Sequence, residues 1–150
     1  MRKRRKRYRR IKYTFKDSIE VYEHLDARYG APGETRREKR EATPEQIRKR
    51  NQWNRERKAR HILKTWFREN DYLALLTYSP GARPPDMDKA KADFKKARDA
   101  MKKEYRKRGH ELRWIRNIEV GAKGAWHIHL VINRIQDTDL ILKKAWPHGK

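Results

Sequence analysis

The segment Ala125-Trp-His-Ile-His-Leu-Val-Ile-Asn133 alternates and then ends apolar, the pattern of a strand buried on one side. In a strand, residues i and i+2 share a face, so His127 and His129 project together with Ile128 behind them. Two adjacent imidazoles make a poor core and a good divalent-cation site. Glu119, eight residues before His127, lies near the end of another strand-like run, Leu112–Val120. Gly121-Ala-Lys-Gly124 makes a short turn between the two runs, which predicts a hairpin. Cross-strand Cβ separations of roughly 5 Å would then let one ion reach Glu119, His127 and His129 together. Two imidazoles and a carboxylate leave coordination positions open, as a catalytic site needs and a closed structural site does not. Imidazole ligation suits Mn²⁺ or Zn²⁺ better than Mg²⁺.

The elements around this hairpin read clearly. Asp71-Tyr-Leu-Ala-Leu-Leu-Thr-Tyr78 is a near-continuous apolar run that predicts a central strand. Pro84-Pro85-Asp86 opens a helix over about 87–108, with Phe94, Ala97, Met101 and Tyr105 on one face and Gly109 at its end. Asp137 is placed to cap a last helix running to about Trp146. Strand, helix, strand, strand, helix predicts an α+β fold, an antiparallel sheet with helices on one face.

Upstream of residue 71 the chain is different. Lys and Arg number 42 against 20 acidic residues, a formal charge of +22 that calls for a polyanionic partner, nucleic acid before others. Nine of the eleven residues 2–12 are cationic, so Arg2, Lys3, Arg4, Arg5, Lys6, Arg7, Arg9 and Arg10 are expected in a nucleic-acid-binding arm that orders on phosphate. Ile19, Tyr22 and Leu25 suggest a short helix within 14–29, ended by Gly30-Ala-Pro-Gly33 and followed by a charged linker. Thr43-Pro44-Glu45-Gln46 is a capping box that opens a long basic helix to about Asn70. Ala59, Ile62, Leu63, Trp66 and Phe67 are its expected packing stripe, while its first half projects into solvent or along nucleic acid. Trp53 there stacks on a base or packs against the preceding helix. The organisation expected is a basic arm and linker (1–42), a long basic helix (43–70) and a site-bearing domain (71–150).

No cysteine is present, which excludes disulfides and thiolate metal sites and makes the reducing cytoplasm the default compartment. No apolar run approaches the length of a membrane span, and no secretory signal follows the basic N-terminus.

Trp126-His-Ile-His-Leu-Val-Ile132 resembles the histidine–hydrophobic–histidine motif of the HUH endonucleases, which include rolling-circle replication initiators, relaxases and single-strand transposases. Leu73-Ala-Leu-Leu-Thr-Tyr78 resembles the first motif of the initiators. Arg113-Trp-Ile-Arg-Asn-Ile-Glu-Val120 resembles the segment bringing the third metal ligand in viral and phage-type initiators. The three occur in the order of that family over about 71–133, and two histidines plus Glu119 favour an initiator over a relaxase, which presents three histidines. The resemblance implies an HUH/RRM-like fold and a divalent ion (Mn or Mg, with Zn an alternative) at Glu119, His127 and His129. It implies nicking and rejoining of single-stranded DNA or an origin hairpin through a tyrosine nucleophile, with a helicase as a further partner. Thr77 and Tyr78 would support the site or touch DNA.

One departure stands out. The family's tyrosine follows the histidine motif on a helix, whereas the seven tyrosines here are 8, 13, 22, 29, 72, 78 and 105. No nucleophile is therefore assigned, and Tyr78 is a poor substitute. The expectation is that the domain is truncated before its tyrosine. The alternatives are a metal-activated water as nucleophile, a structural ion that only staples the hairpin, or a basic DNA- or RNA-binding protein without catalysis.

Overall fold

The computed structural model describes residues 8–25, 41–122 and 124–149. The chain forms two compact units, Met1–Thr65 and Trp66–Lys150.

In the first unit, β1 (Tyr8–Thr14) and β2 (Ile19–Leu25) pair antiparallel, and α1 spans Pro44–Trp66. The hairpin replaces two expectations: the short helix within 14–29 and an arm lacking structure as far as Lys12. Ile19, Tyr22 and Leu25 fit a helical stripe, but Ile19 and Val21 also alternate with Glu20 and Tyr22, and the period of two prevails. A turn at 15–18, closed by Phe15 N–H on the Ser18 carbonyl at 2.8 Å, lets Tyr13 face Glu20 and Ile11 face Tyr22. Helix α1 starts as expected: Gln46 N–H donates to Thr43 Oγ1 at 3.2 Å, and Thr43 N–H to Gln46 Oε1 at 3.1 Å. Its expected apolar stripe is not buried, and none of its residues is. The hairpin instead meets Trp53, Arg57, Arg60, His61 and Lys64. The Glu20 carboxylate accepts from Arg60 (3.0 Å), and lies 3.1 Å from His61 and 2.7 Å from Lys64. His61, expected in solvent, thus joins this cluster. These cations hold the Glu20 carboxyl far below the usual carboxylate range.

The second unit contains β3 (Tyr72–Thr77), α2 (Met87–Lys107), β4 (Trp114–Val120), β5 (Trp126–Ile132) and α3 (Thr138–Ala145), with a 3₁₀ turn at Pro80–Ala82. The sheet is antiparallel in the order β3-β5-β4, so the histidine strand is central. Leu76, Ile128, Leu130 and Ile132 point to one face and bury against Phe94, Ala97, Met101 and Tyr105 of α2 and Ile141 and Leu142 of α3. The fold is therefore α+β with helices packed on one face of an antiparallel sheet. Asp86 caps α2 by accepting from Lys89 N–H at 2.7 Å, and Gly109 follows the helix with φ 77°. Asp137 does not cap α3 through its side chain; its φ is 61°. Thr138 Oγ1 does the local work, accepting from Ile135 N–H at 2.8 Å and bonding the Ile135 carbonyl.

Candidate metal centre

Register decides what the sheet's other face presents. Thr77 stands opposite His127, and His127 opposite Glu119; Leu75 stands opposite His129, and His129 opposite Asn117. The two histidines and Glu119 therefore share the face turned away from the helices, as the spacing predicted. His127 Nε2 and His129 Nε2 each lie 3.4 Å from Glu119 Oε2, and one ligand atom from each of the three residues falls within 4.8 Å of the others. Ligands bonded at about 2.1 Å sit roughly 3.0–3.4 Å apart in octahedral or tetrahedral geometry. The residues fit a divalent cation after side-chain adjustment only.

Two supporting contacts prepare this arrangement. His127 Nδ1 lies 3.2 Å from the Ala125 carbonyl. A carbonyl only accepts, so Nδ1 carries the proton and Nε2 offers its lone pair toward Glu119. That places two electron-rich atoms face to face, which a proton or a cation between them resolves. The same Ala125 carbonyl accepts from Gly121 N–H at 2.8 Å, so the turn that closes the hairpin also sets the imidazole. Asn117 Nδ2 donates to Glu119 Oε1 at 2.5 Å and leaves Oε2 to the histidines. Neither Asn117 nor the Ala125 carbonyl was singled out from sequence. Asn117 carried a usable signal, since it sits two residues before Glu119 and hence on its face. Glu119 and His129 keep nearly half their side-chain surface exposed (49% and 44%), so a polyanion can reach the site.

The other expected site residues scatter. Thr77 is in the same cross-strand row as His127, and its carbonyl accepts from Trp146 Nε1–H at 2.7 Å. Tyr78 points to the opposite face, 7% exposed and against Trp146 and His148. Burial, with the Asp93 carboxylate nearby, pushes its hydroxyl up to about 12. Tyr78 is thus a core residue rather than a DNA contact, because β3 alternates and Thr77 takes the site-facing position. His148 lies with it near Asp93, on the side of the sheet away from the triad. Trp53, half exposed, packs edge-on to Tyr22 of β2 under the Arg57 guanidinium rather than on a preceding helix. Arg9 and Arg10 lie on β1, where Arg10 donates to Glu23 at 2.7 Å; Arg2, Lys3, Arg4, Arg5, Lys6 and Arg7 lie outside the described residues.

An antiparallel sheet helix-covered on one side and carrying a Glu–His–His cation site on the other defines the class: an α+β protein built to hold a divalent ion against an approaching polyanion. The chain belongs to the family of the replication-associated protein ORF2, whose model matches residues 71–150, the stretch that holds the whole three-stranded sheet and the triad. Membership gives the protein a part in replication. No curated protein and no solved structure matches the chain.

Proposed function

We propose that this protein nicks and rejoins single-stranded DNA at the start of rolling-circle replication, with a divalent cation held by Glu119, His127 and His129. The observation that carries the reading is the convergence of these three side chains on the open sheet face, inside the family-matched region. The resemblance of the three motifs to the HUH endonucleases supports it. A divalent ion there would act as a Lewis acid on the scissile phosphodiester. The chain's own contribution is positional. Ala125 and Asn117 fix the tautomer of His127 and the free oxygen of Glu119, and the open face admits a backbone phosphate.

The described residues of that face include no tyrosine, and Tyr78, turned into the core with its proton firmly held, is no nucleophile. This favours one second reading: a basic DNA- or RNA-binding protein in which the triad takes no part in strand cleavage.

Calorimetric titration of the full chain with Mn²⁺ tests the proposal, alongside His127→Ala and with nicking of single-stranded DNA followed in parallel. Near one-to-one binding and Mn²⁺-dependent nicking, both lost in the variant, are expected. Binding without nicking would leave the second reading with a metal-stapled hairpin. The absence of binding would remove the metal reading altogether.

A further inference from the structure

Helix α1 poses a question the metal centre does not answer. It has 23 residues and buries none of them. One side meets the hairpin through Trp53, Arg57, Arg60, His61 and Lys64. The other side carries Arg48, Asn51, Gln52, Arg55 and Lys58, all exposed, at the spacing i, i+3, i+4, i+7 and i+10 of a single helical stripe. Among the described residues no hydrogen bond or ion pair engages Arg48, Arg55 or Lys58. Glu45 and Glu56, the helix's two carboxylates, are engaged by Lys49 and Gln52, whereas its cations number eight.

We propose that α1 is a reading helix for double-stranded DNA, entering the major groove by this stripe and acting apart from the Glu119–His127–His129 site. The major groove admits a helix of this diameter. From Arg48 to Lys58 the stripe runs about 15 Å, the rise of roughly four to five base pairs. Its residue types are those that read base edges there: arginine the two acceptors of guanine, asparagine and glutamine the donor–acceptor pair of adenine. Lys58 supplies a phosphate contact at one end.

The same observations argue against other nucleic acids. Single strands bind by stacking on exposed aromatic rings, and this stripe has none, since Trp53 is turned to Tyr22. Duplex RNA has a major groove too deep and narrow for a helix to read. A helix held for packing alone would place apolar residues on one side, and α1 does so on neither over residues 44–58.

The test uses the full chain. A duplex site is enriched from a randomised double-stranded DNA pool, and affinities are measured by fluorescence anisotropy over a salt series. Asn51→Ala is expected to lower affinity for the enriched site about 10-fold or more with no change in salt slope, because it removes a base contact and no charge. Arg48→Ala with Arg55→Ala should cost far more than the charge-matched pair Lys95→Ala with Lys102→Ala on exposed α2 positions. His127→Ala should bind the duplex as the parent does, which separates this outcome from that of the metal reading. All these side chains are exposed, and circular dichroism verifies that α1 persists. Equal losses from the two charge-matched pairs would overturn the proposal. So would failure to enrich any duplex site, or tighter binding to the RNA duplex or single strand of the same sequence.

Discussion

Two buried tyrosines of the second unit should respond with opposite sign to the same one-atom change. Tyr105 is fully buried, and its hydroxyl donates to the Asn133 carbonyl at 2.6 Å and touches Thr138 Oγ1 at 3.2 Å. Tyr105→Phe leaves the Asn133 carbonyl without that donor and should cost about 1–2 kcal/mol. Tyr78 is nearly as buried, but its hydroxyl has no hydrogen-bond partner among the described residues. A desolvated, unpaired hydroxyl already costs about 1–3 kcal/mol, so Tyr78→Phe should be neutral or stabilising by up to about 2 kcal/mol, its ring still packed on Trp146. Urea unfolding followed by tryptophan fluorescence reads both. With a slope near 1 kcal/mol/M for a unit of this size, the midpoints of the two variants should separate by roughly 1–3 M. A loss of more than about 1 kcal/mol in Tyr78→Phe would refute the reasoning, since it would mean that the hydroxyl is bonded after all.

Three further outcomes are expected. Burial raises Tyr78 to about 12 while an unfolded tyrosine ionises near 10, so its contribution is fully present below about pH 10 and is lost as pH climbs toward 12; Tyr78→Phe should flatten that part of an alkaline unfolding profile. Asn117→Ala frees the second oxygen of Glu119 and should weaken Mn²⁺ binding about 10–100-fold by calorimetry while both histidines remain. Deleting residues 2–7 removes six cations ahead of β1, so the salt slope of DNA binding should fall by up to about 5, with Mn²⁺ binding unchanged.

The second unit was legible because each signal there was local and unopposed. The period of two in Trp126–Ile132, the stripe from Phe94 to Tyr105 and the Gly-rich turn at 121–124 each permit one structure, and register then follows from the hairpin. The triad was legible for the same reason, since all three ligands lie on that hairpin. The first unit was not. Ile19, Tyr22 and Leu25 satisfy a helical and an extended period equally, and the choice is made by Glu20, whose partners Arg60, His61 and Lys64 lie some 40 residues away. The apolar residues of α1 misled because a helix can be held by a ring of cations around one carboxylate and two tyrosines, which no hydrophobic pattern reports. At Asp137 the residue type suggested a cap, but the left-handed backbone turns its side chain away, and Thr138 takes over.

The three ligands lie within eleven consecutive residues, Glu119–His129, joined by a turn. Such a site has almost no loop-closure entropy left to overcome, and a hairpin of this kind closes in about 1–10 μs. The ligand set can therefore gather before the helices dock, and an ion arriving then would add its affinity to closing β4 on β5. The consequence is kinetic: metal present during synthesis would favour this strand pairing over its competitors and speed folding, whereas metal added to the finished protein would chiefly slow its unfolding.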